Sequence, residues 1–392
     1  MNLKNKNIVI TSAARTPIGT FNGSLKDMQA KDLGAIVIKA AIQKSNLNLE
    51  DVDEVIMGQV LTSATGQNPA RQAAIQAGLP IEKTAYVINQ VCGSGLRSIA
   101  AGYQAIVTSD SDIIIAGGQE SMTNSPHAIH FRNGKKLNET DLIDTMIKDG
   151  LWDAFNGYHM GITAENVATK WQITRKDQDD FALSSQLKTE KALKEDKFKN
   201  EIIPVIFNGK NQLEIDEHPR IGMTSEKLVK LKSSFKKNGT VTPGNASGIN
   251  DAAAAVTLMD ENEAKKRSLK PLAKIASWAT CGVDPSLMGS GPIPASKKAL
   301  KKAGWEIKDL DLIESNEAFA AQSLAVIKDL GLLKEKVNAN GGAIAIGHPL
   351  GATGARLMIN LIHDLKRQNL KYGLQAICEG GGTANGTIIE LV

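Results

Sequence analysis

At 392 residues the chain is too long for one ordinary core, so two or three domains, or a duplicated one, are expected. A net charge of +4 with both signs mixed along the chain, and only 4% aromatic residues, argue against a nucleic-acid stacking surface and suit anionic small molecules. Cys92, Cys281 and Cys378 show no C-x-x-C spacing, which gives no support to a zinc ribbon, a redox dithiol or a disulfide framework.

The opening "MNLKNKNIVITSAARTPIG" lacks the apolar core of a signal peptide, and no apolar run is long enough to span a bilayer. A cytoplasmic protein with no membrane or nucleic-acid partner is expected. "NIVITSA" reads as a buried strand by its β-branched run. Asp32 to Ile42 reads as a helix, with apolar positions at Leu33, Ile36, Val37, Ala40 and Ala41. "VDEVIMGQV" is a second strand and "TAYVINQVC" a third, ending at Cys92. Leu96, Ile99, Ala100, Tyr103, Ile106 and Val107 keep helical spacing after it, and "SDIIIAGGQE" is a strand that ends in a glycine pair.

From about Ser121 to Lys237 the chain is richer in charge, His and Trp. "TRKDQDDFALSSQLKTEKALKEDKF" predicts an amphipathic helix with Thr174 as N-cap, and "FRNGKKLNET" an exposed loop. The chain returns to strand at "SGINDAAAAVTLMD". The last third repeats the grammar of the first. "EDVDEVIMG" matches "KDLDLIESN", "GLR" at Gly95 matches "GAR" at Gly354, and "IIIAGG" matches "AICEGG". The three matches keep one order and nearly one offset, which predicts two copies of a strand–helix unit.

In "NQVCGSGLRS", Cys92 follows a strand and precedes a helix. A thiol at a helix N-terminus is expected to have a lowered pKa, and Gly93 and Gly95 allow a sharp turn. A buried structural cysteine beside a packing glycine fits this stretch equally well. "NANGGAIAIGHPLGATGAR" sets His348 among glycines, where a ligand could reach it as a general base or where it could be a solvated ring. "AICEGGGTANG" puts Cys378 at a strand end before glycines whose N–H groups could converge on an oxyanion; standing alone it reads more simply as a strand cysteine. Asn316 in "ESNEAFAAQ" suits a helix cap or a polar group facing a site, and Cys281 is read as core. Cys92, Asn316 and Cys378 all fall at strand ends, the edge where sites of open α/β sheets gather.

The whole length resembles the thiolase family, and within it the biosynthetic acetyl-CoA C-acetyltransferase (acetoacetyl-CoA thiolase) branch. The resemblance is carried by "SAARTPIGTFNGSL", "GQNPARQAA", "NQVCGSGLRS", "GGQESM", "NGYHMGITAEN", "GNASGINDAAAA", "GPIPA", "ESNEAFAAQ", "NGGAIAIGHPLGATGAR" and "CEGGG", in the family's order. It implies an α/β chain with a duplicated thiolase fold, layered α-β-α-β-α with two mixed sheets, plus an inserted loop domain. The expected boundaries are 1–120 with 251–270 for the first half, 121–250 for the insertion and 271–392 for the second half. It implies a reversible Claisen condensation of two acetyl-CoA to acetoacetyl-CoA and coenzyme A. Cys92 would be the acylated nucleophile, and His348 the group that activates it. Cys378 would be the acid and then the base, and Asn316 the holder of a water that, with His348, stabilises the enolate. The N–H groups of Cys92 and Gly380 would bind the oxyanion. Leu151, His159, Met160, Arg220, Ser247, Ala318 and Phe319 would contact coenzyme A or the acyl group, Met160 filling space that a longer acyl tail needs. No cofactor is expected, since coenzyme A is substrate and product. The loop around Ser125 to Leu142 implies a homotetramer, a dimer of dimers.

Three residues depart from the family pattern. Glu379 stands where an apolar residue is usual, and strand alternation is expected to turn it away from the site. Ala384 replaces a glycine and Pro243 an alanine, which puts the local backbone in question. Two other readings compete: a degradative 3-ketoacyl-CoA thiolase with a longer acyl range, and a thiolase-fold protein that only binds acyl-CoA. A ketoacyl synthase would normally lack the second cysteine.

Overall fold

β-branched runs and small-residue helices build alternating layers. The computed structural model describes residues 6–132, 141–207, 209 and 211–392. In chain order the main elements are β1 (Ile8–Arg15), α1 (Ala30–Lys44), β2 (Glu54–Gly58), α2 (Pro69–Gln76), β3 (Thr84–Ile88), α3 (Ser94–Thr108) and β4 (Ile113–Ser121). Then come α4 (Met160–Trp171), α5 (Arg175–Lys194), β5 (Asn250–Asp260), β6 (Ala273–Gly282), α6 (Pro292–Ala303) and β7 (Leu312–Ser315). The chain closes with α7 (Ala320–Leu330), α8 (Leu350–Gln368), β8 (Tyr372–Glu379) and β9 (Thr383–Leu391).

Among the described residues the strands form one ten-stranded sheet, in the order β7-β8-β9-β6-β1-β5-β4-β2-β3, with Gly19–Thr20 paired to β5 off this path. The two expected sheets are the two halves of this path. They are joined only where β1 meets β6, at Val9↔Lys274 and Ile10↔Ala273. In the first half β2 runs parallel to β3 and β4, and β5 antiparallel to β4 and β1. In the second half β7 runs parallel to β8, and β9 antiparallel to β8 and β6. The sequence repeat is therefore a structural one: β2–α3–β4 corresponds to β7–α8–β8.

The period-two alternation of the strands assigns each side chain to a layer. Ile8, Ile10, Ile56 and Ile114 join Leu96, Ile99, Leu357, Met358 and Leu361 in a central core. Val9, Val55, Met57, Ile113 and Ile115 face the other way, against Leu33, Val37 and Ile38 of α1. In the second half Ile313, Leu374 and Ile388 meet Ile293 and Leu300 of α6 and Val326 and Ile327 of α7. Helices α3 and α8 thus lie between the sheet halves, which makes five layers. Helix α8 has 15 of its 19 residues buried, as a helix walled on every side must.

The segment between β4 and β5 carries α4 and α5. Thr174 caps α5 as expected: its side chain accepts from the Asp177 N–H, and Asp177 reciprocates. Of the predicted loop "FRNGKKLNET", residues 133–140 lie outside the described residues. Below them His127–Ala128 pairs with Ile143–Asp144. Among the described residues no helix is long and apolar enough to cross a membrane.

Helices α3 and α8 approach closely because glycines face each other. A Cβ on Gly95 would sit 2.7 Å from the Gly351 carbonyl and 3.0 Å from the Ala355 nitrogen, both backbone. One on Gly354 would collide with the backbone of Leu96, and one on Gly118 with Gly351. Backbone cannot step aside as a flexible side chain can, so the helices themselves would have to separate. Gly95→Ala is expected to lower stability by about 1–3 kcal/mol. Chemical denaturation of the two proteins side by side measures this, and an unchanged midpoint would show that the helices part without cost.

Candidate active site

Cys92 sits on a locked turn. Strand β3 stops at Ile88, four residues short of the cysteine to which it was expected to run. The backbone turns because Val91 adopts φ 48°, a left-handed conformation rare for a β-branched residue. The side chains around it hold that strain. The Val91 N–H donates to Asn89 Oδ1 (2.9 Å), the Gln90 N–H to Ser94 Oγ (2.8 Å), and Ser94 Oγ donates to the Val91 carbonyl (2.6 Å). Cys92 is then presented one residue before Gly93, the N-cap of α3. The backbone N–H groups of Gly380 and of Cys92 itself point at its sulfur.

The thiol's acidity runs against the sequence expectation. Burial pushes Cys92 up to about 12, and the carboxylate of Glu379 adds to the rise. A helix N-terminus contributes at most about 2 kcal/mol. A rise of that size corresponds to roughly 4 kcal/mol. Desolvation wins, and Cys92 rests as a thiol.

His348 supplies what a thiol needs. Gly347 precedes it at φ 117°, a conformation reserved for glycine, and the His348 N–H donates to Asn250 Oδ1 (2.9 Å). Thr353 Oγ1 donates its one proton to the Pro349 carbonyl (2.8 Å) and lies 2.7 Å from His348 Nδ1. Nδ1 must then be the protonated nitrogen, which assigns the lone pair to Nε2. Nε2 is buried with no hydrogen-bond partner among the described residues. Burial, with the Arg356 charge second, pushes the imidazole down to about 3, so it is neutral and free to accept a proton.

Cys92, His348 and Gly380 line one cavity of about 600 Å³. Leu151, His159, Met160, Arg220, Ser247, Ala318 and Phe319 line it too, so every residue assigned to coenzyme A or acyl contact reaches this space. Cys378 and Asn316 do not line it; they lie buried behind it. Cys378 is fully buried among Met160, Met288, Ala318 and Phe319. Burial raises its pKa, with the charge of Cys92 as the second cause, so the two sulfurs are electrostatic neighbours. The Asn316 N–H continues the β8 pairing through the Ala376 carbonyl (2.9 Å). Its side-chain amide is buried with both polar atoms unpartnered among the described residues, a group waiting for water or ligand. The ends of β3, β7 and β8 thus bring together residues hundreds apart in sequence.

His159 was assigned to the site from sequence, whereas Phe235, His218 and Glu120 were not. His159 caps α4, its Nδ1 accepting the Gly161 N–H (3.0 Å), and its ring stacks on Phe235 at 4.6 Å. Phe235 meets Phe319 edge-on at 6.4 Å. A lone aromatic in the lysine-rich "LKSSFKK" was the available signal. His218, two residues before Arg220, also lines the cavity, and burial lowers it to about 4. Glu120 accepts the N–H groups of Val60 (3.0 Å), Leu61 (3.1 Å) and Gly351 (2.8 Å), fixing the first turn of α8 to β4.

Two expectations are corrected. Glu379 does not turn away from the site. It is fully buried against Gly93, where an added Cβ would collide with its carboxylate. Alternation does put it on the face opposite Cys378, but that face is covered by the Cys92 turn. Cys281 is half-buried rather than core and sits at the end of β6 opposite Ala384. Ala384 keeps regular register with both Cys281 and Cys378, so β9 runs undistorted there. Pro243 lines the cavity wall.

The chain is similar to known proteins over nearly its whole length. Residues 8–262 match the family described as "Thiolase, N-terminal domain", and residues 269–391 match "Thiolase, C-terminal domain". The chain is 56% identical over 391 residues to an acetyl-CoA acetyltransferase of Rhizobium meliloti, covering 99% of this chain and 100% of that one. It is 55% identical over 385 residues to the enzyme of that name from Paracoccus denitrificans, covering 97% and 98%. The fold superposes on the crystal structure of the Bacillus anthracis acetyl-CoA acetyltransferase with a TM-score of 0.97 at 43% identity, and on human mitochondrial 3-ketoacyl-CoA thiolase with 0.96 at 42%; each alignment covers 99% of both chains. With both halves matched and the duplicated sheet superposed end to end, the chain belongs to the thiolase family.

Proposed function

We propose that this chain is an acetyl-CoA C-acetyltransferase that condenses two acetyl-CoA to acetoacetyl-CoA and coenzyme A, reversibly, through an acetyl group on Cys92. One observation carries the reading: a buried thiol faces two backbone N–H groups in the same cavity as a neutral imidazole with a free Nε2. His348 Nε2 takes the Cys92 proton as the sulfur attacks the first acetyl carbonyl. The N–H groups of Cys92 and Gly380 hold the resulting oxyanion. The coenzyme A thiolate leaves with the proton of Cys378.

The Cys378 thiolate then takes an α-proton from the second acetyl-CoA. Asn316, through a water, and His348 stabilise the enolate oxygen. The carbanion attacks acetyl-Cys92, whose sulfur departs and regains its proton from His348. Protons balance over the cycle, and coenzyme A enters and leaves as substrate and product. Acylating a thiol keeps the energy of the thioester, which is why the condensation remains reversible. A high thiol pKa suits Cys378, because its thiolate must be basic enough to reach a weakly acidic C–H.

Residues 121–250 form the wall that holds coenzyme A, supported by His159, Met160, Arg220 and Ser247 on the cavity surface. A cytoplasmic homotetramer completes the reading. A dimer of dimers is supported by two surfaces that a second copy would cover. Strand β3 is an edge of the sheet. Around the His127–Ala128 pairing, Ile129 is 44% exposed, and Phe131 and Leu142 are each 66% exposed.

Cys92→Ser is expected to abolish acetylation of the protein by acetyl-CoA, whereas Cys378→Ala acetylates at Cys92 and fails to condense. Peptide mass mapping of the trapped enzyme reads both outcomes. Acetyl on another residue, or a Cys378→Ala enzyme condensing at the parent rate, would overturn the assignment. Met160→Ala opens the cavity beside Cys378 and is expected to raise turnover of six- to eight-carbon 3-ketoacyl-CoA relative to acetoacetyl-CoA by roughly tenfold. Thiolysis rates across chain lengths check this; an unchanged ratio means Met160 does not set the limit. Replacing both Phe131 and Leu142 by Ser is expected to leave a dimer at micromolar concentration, as light scattering would show, with thiolysis per active site retained.

A further inference from the structure

Glu379 is a buried carboxylate that the proposed reaction does not use. It is the chain neighbour of Cys378, and its side chain packs on Gly93, the chain neighbour of Cys92. Thr383 Oγ1 donates to its Oε2 (2.5 Å), and Asn385 Nδ2 donates to its Oε1 (2.5 Å). Both donors come from β9, and the Gln90 amide faces it from the Cys92 turn. Three polar side chains on two elements therefore receive a group that an apolar residue would leave without a partner.

We propose that Glu379 is a positioning residue whose carboxyl, wedged between the Cys92 turn and the β8–β9 hairpin, controls by its charge how readily the reacting sulfurs lose their protons. The proposal rests on Cys92 being the acyl acceptor. The titratable and charged groups around Glu379 are few. Arg97 of α3 favours its ionised form while resting over the Trp278 ring at 5.1 Å. Cys92 and Cys378 are the two thiols it acts on, and Glu120 adds a weaker negative influence on Cys92.

The sign follows from the charges. Burial holds the Glu379 carboxyl up to about 8, so below that pH it is mostly neutral and adds no negative charge beside the sulfurs. Above that pH it ionises, and a carboxylate next to a thiol disfavours the thiolate. The gain in thiolate that rising pH would give is then partly cancelled. An amide at this position keeps the shape and one acceptor oxygen, puts a donor where the other oxygen stood, and cannot ionise.

The test is alkylation of Cys92 by iodoacetamide, mapped by peptide mass, from about pH 6.5 to about pH 9.5, in the parent and in Glu379→Gln. A difference of one pKa unit means roughly a tenfold difference in thiolate. The expected ratio of variant to parent rate is close to one at the acid end and grows to at least about threefold at the alkaline end. The parent's rate is expected to climb less steeply above about pH 8 than below it. A ratio that stays constant with pH, whatever its value, overturns the proposal, because a merely structural role moves the rate without moving its pH dependence. If Glu379→Gln does not fold, the parent decides: a rate that rises in constant proportion to hydroxide through the whole range overturns it. Alkylation needs no condensation, so acetylation mapping in the same samples tells separately whether Cys92 accepts the acyl group.

Discussion

The site depends on how closely two helix ends can approach. Cys92 lies just before α3 and His348 just before α8, and the two helices meet through Gly95, Gly351 and Gly354. Gly95 and Gly354 each face the backbone of the other helix, so the separation is set by main chain touching main chain, while Gly351 packs its Cα on the backbone of Gly58 and Gln59. Gly118, inside β4, meets the same Gly351, which extends the contact into the sheet. Glu120, two residues on, then fastens the Gly351 N–H. Cys92 and His348, the proposed nucleophile and its base, are thereby fixed by the part of the molecule least able to relax, the central layer between the sheet halves. A catalytic pair carried on loops alone would lack that constraint.

Burial in this layer also dictates the resting charge state. Cys92 and Cys378 are both driven toward the neutral thiol, and His348 toward the neutral imidazole. All three shifts have desolvation as their largest cause. A preformed thiolate–imidazolium pair, the arrangement a helix dipole alone would favour, is therefore not the ground state. In the proposed reaction charge arises when the attacked carbonyl can receive it, beside the Cys92 sulfur that the N–H groups of Cys92 and Gly380 face. Dipoles fixed before the reaction need no reorganisation during it. Among the described residues the amide of Asn316 and Nε2 of His348 have no partner, which suits the roles proposed for them.

The strands, the central helices and the duplication were legible because they follow from periodicity. Ile8, Ile10 and Val9 alternate between two cores, and the repeat offsets align β2 with β7, α3 with α8 and β4 with β8. The site residues were legible through rare residue types at strand ends, and the family resemblance gave them roles. What stayed hidden depends on distances that local pattern does not encode. The Cys92 turn comes from Val91 adopting a left-handed backbone, which no propensity for valine suggests. Glu379 was assigned to the far face by alternation, correctly for its strand. Whether that face meets solvent or the Cys92 turn is decided by the other half of the chain. His218 and Phe235 reach the cavity from an irregular segment that periodicity cannot place.

The duplication also explains how one site arises from two similar halves. In both copies a crossover helix links parallel strands, and the chain then returns antiparallel beside the second of them. The return connection differs between the copies. In the first copy it runs from Met122 to Ile249 and carries His159, Met160, Arg220 and Ser247 to the cavity. In the second it is only Gly380 to Gly382, and it delivers a backbone N–H to the Cys92 sulfur. One connection, by its length, can wall in a large substrate; the other, by its shortness, holds an amide beside the Cys92 sulfur, where the proposed reaction needs an oxyanion donor. The edge strand differs in the same sense. The counterpart of β3 in the second half is reduced to the single bridge Ile313↔Val337. The chain that follows Val337 is thereby free to become the glycine-rich turn that ends in His348, while β3 in the first half runs on into the turn that presents Cys92. Two copies of one unit thus supply different reagents because their connections, not their strands, diverged.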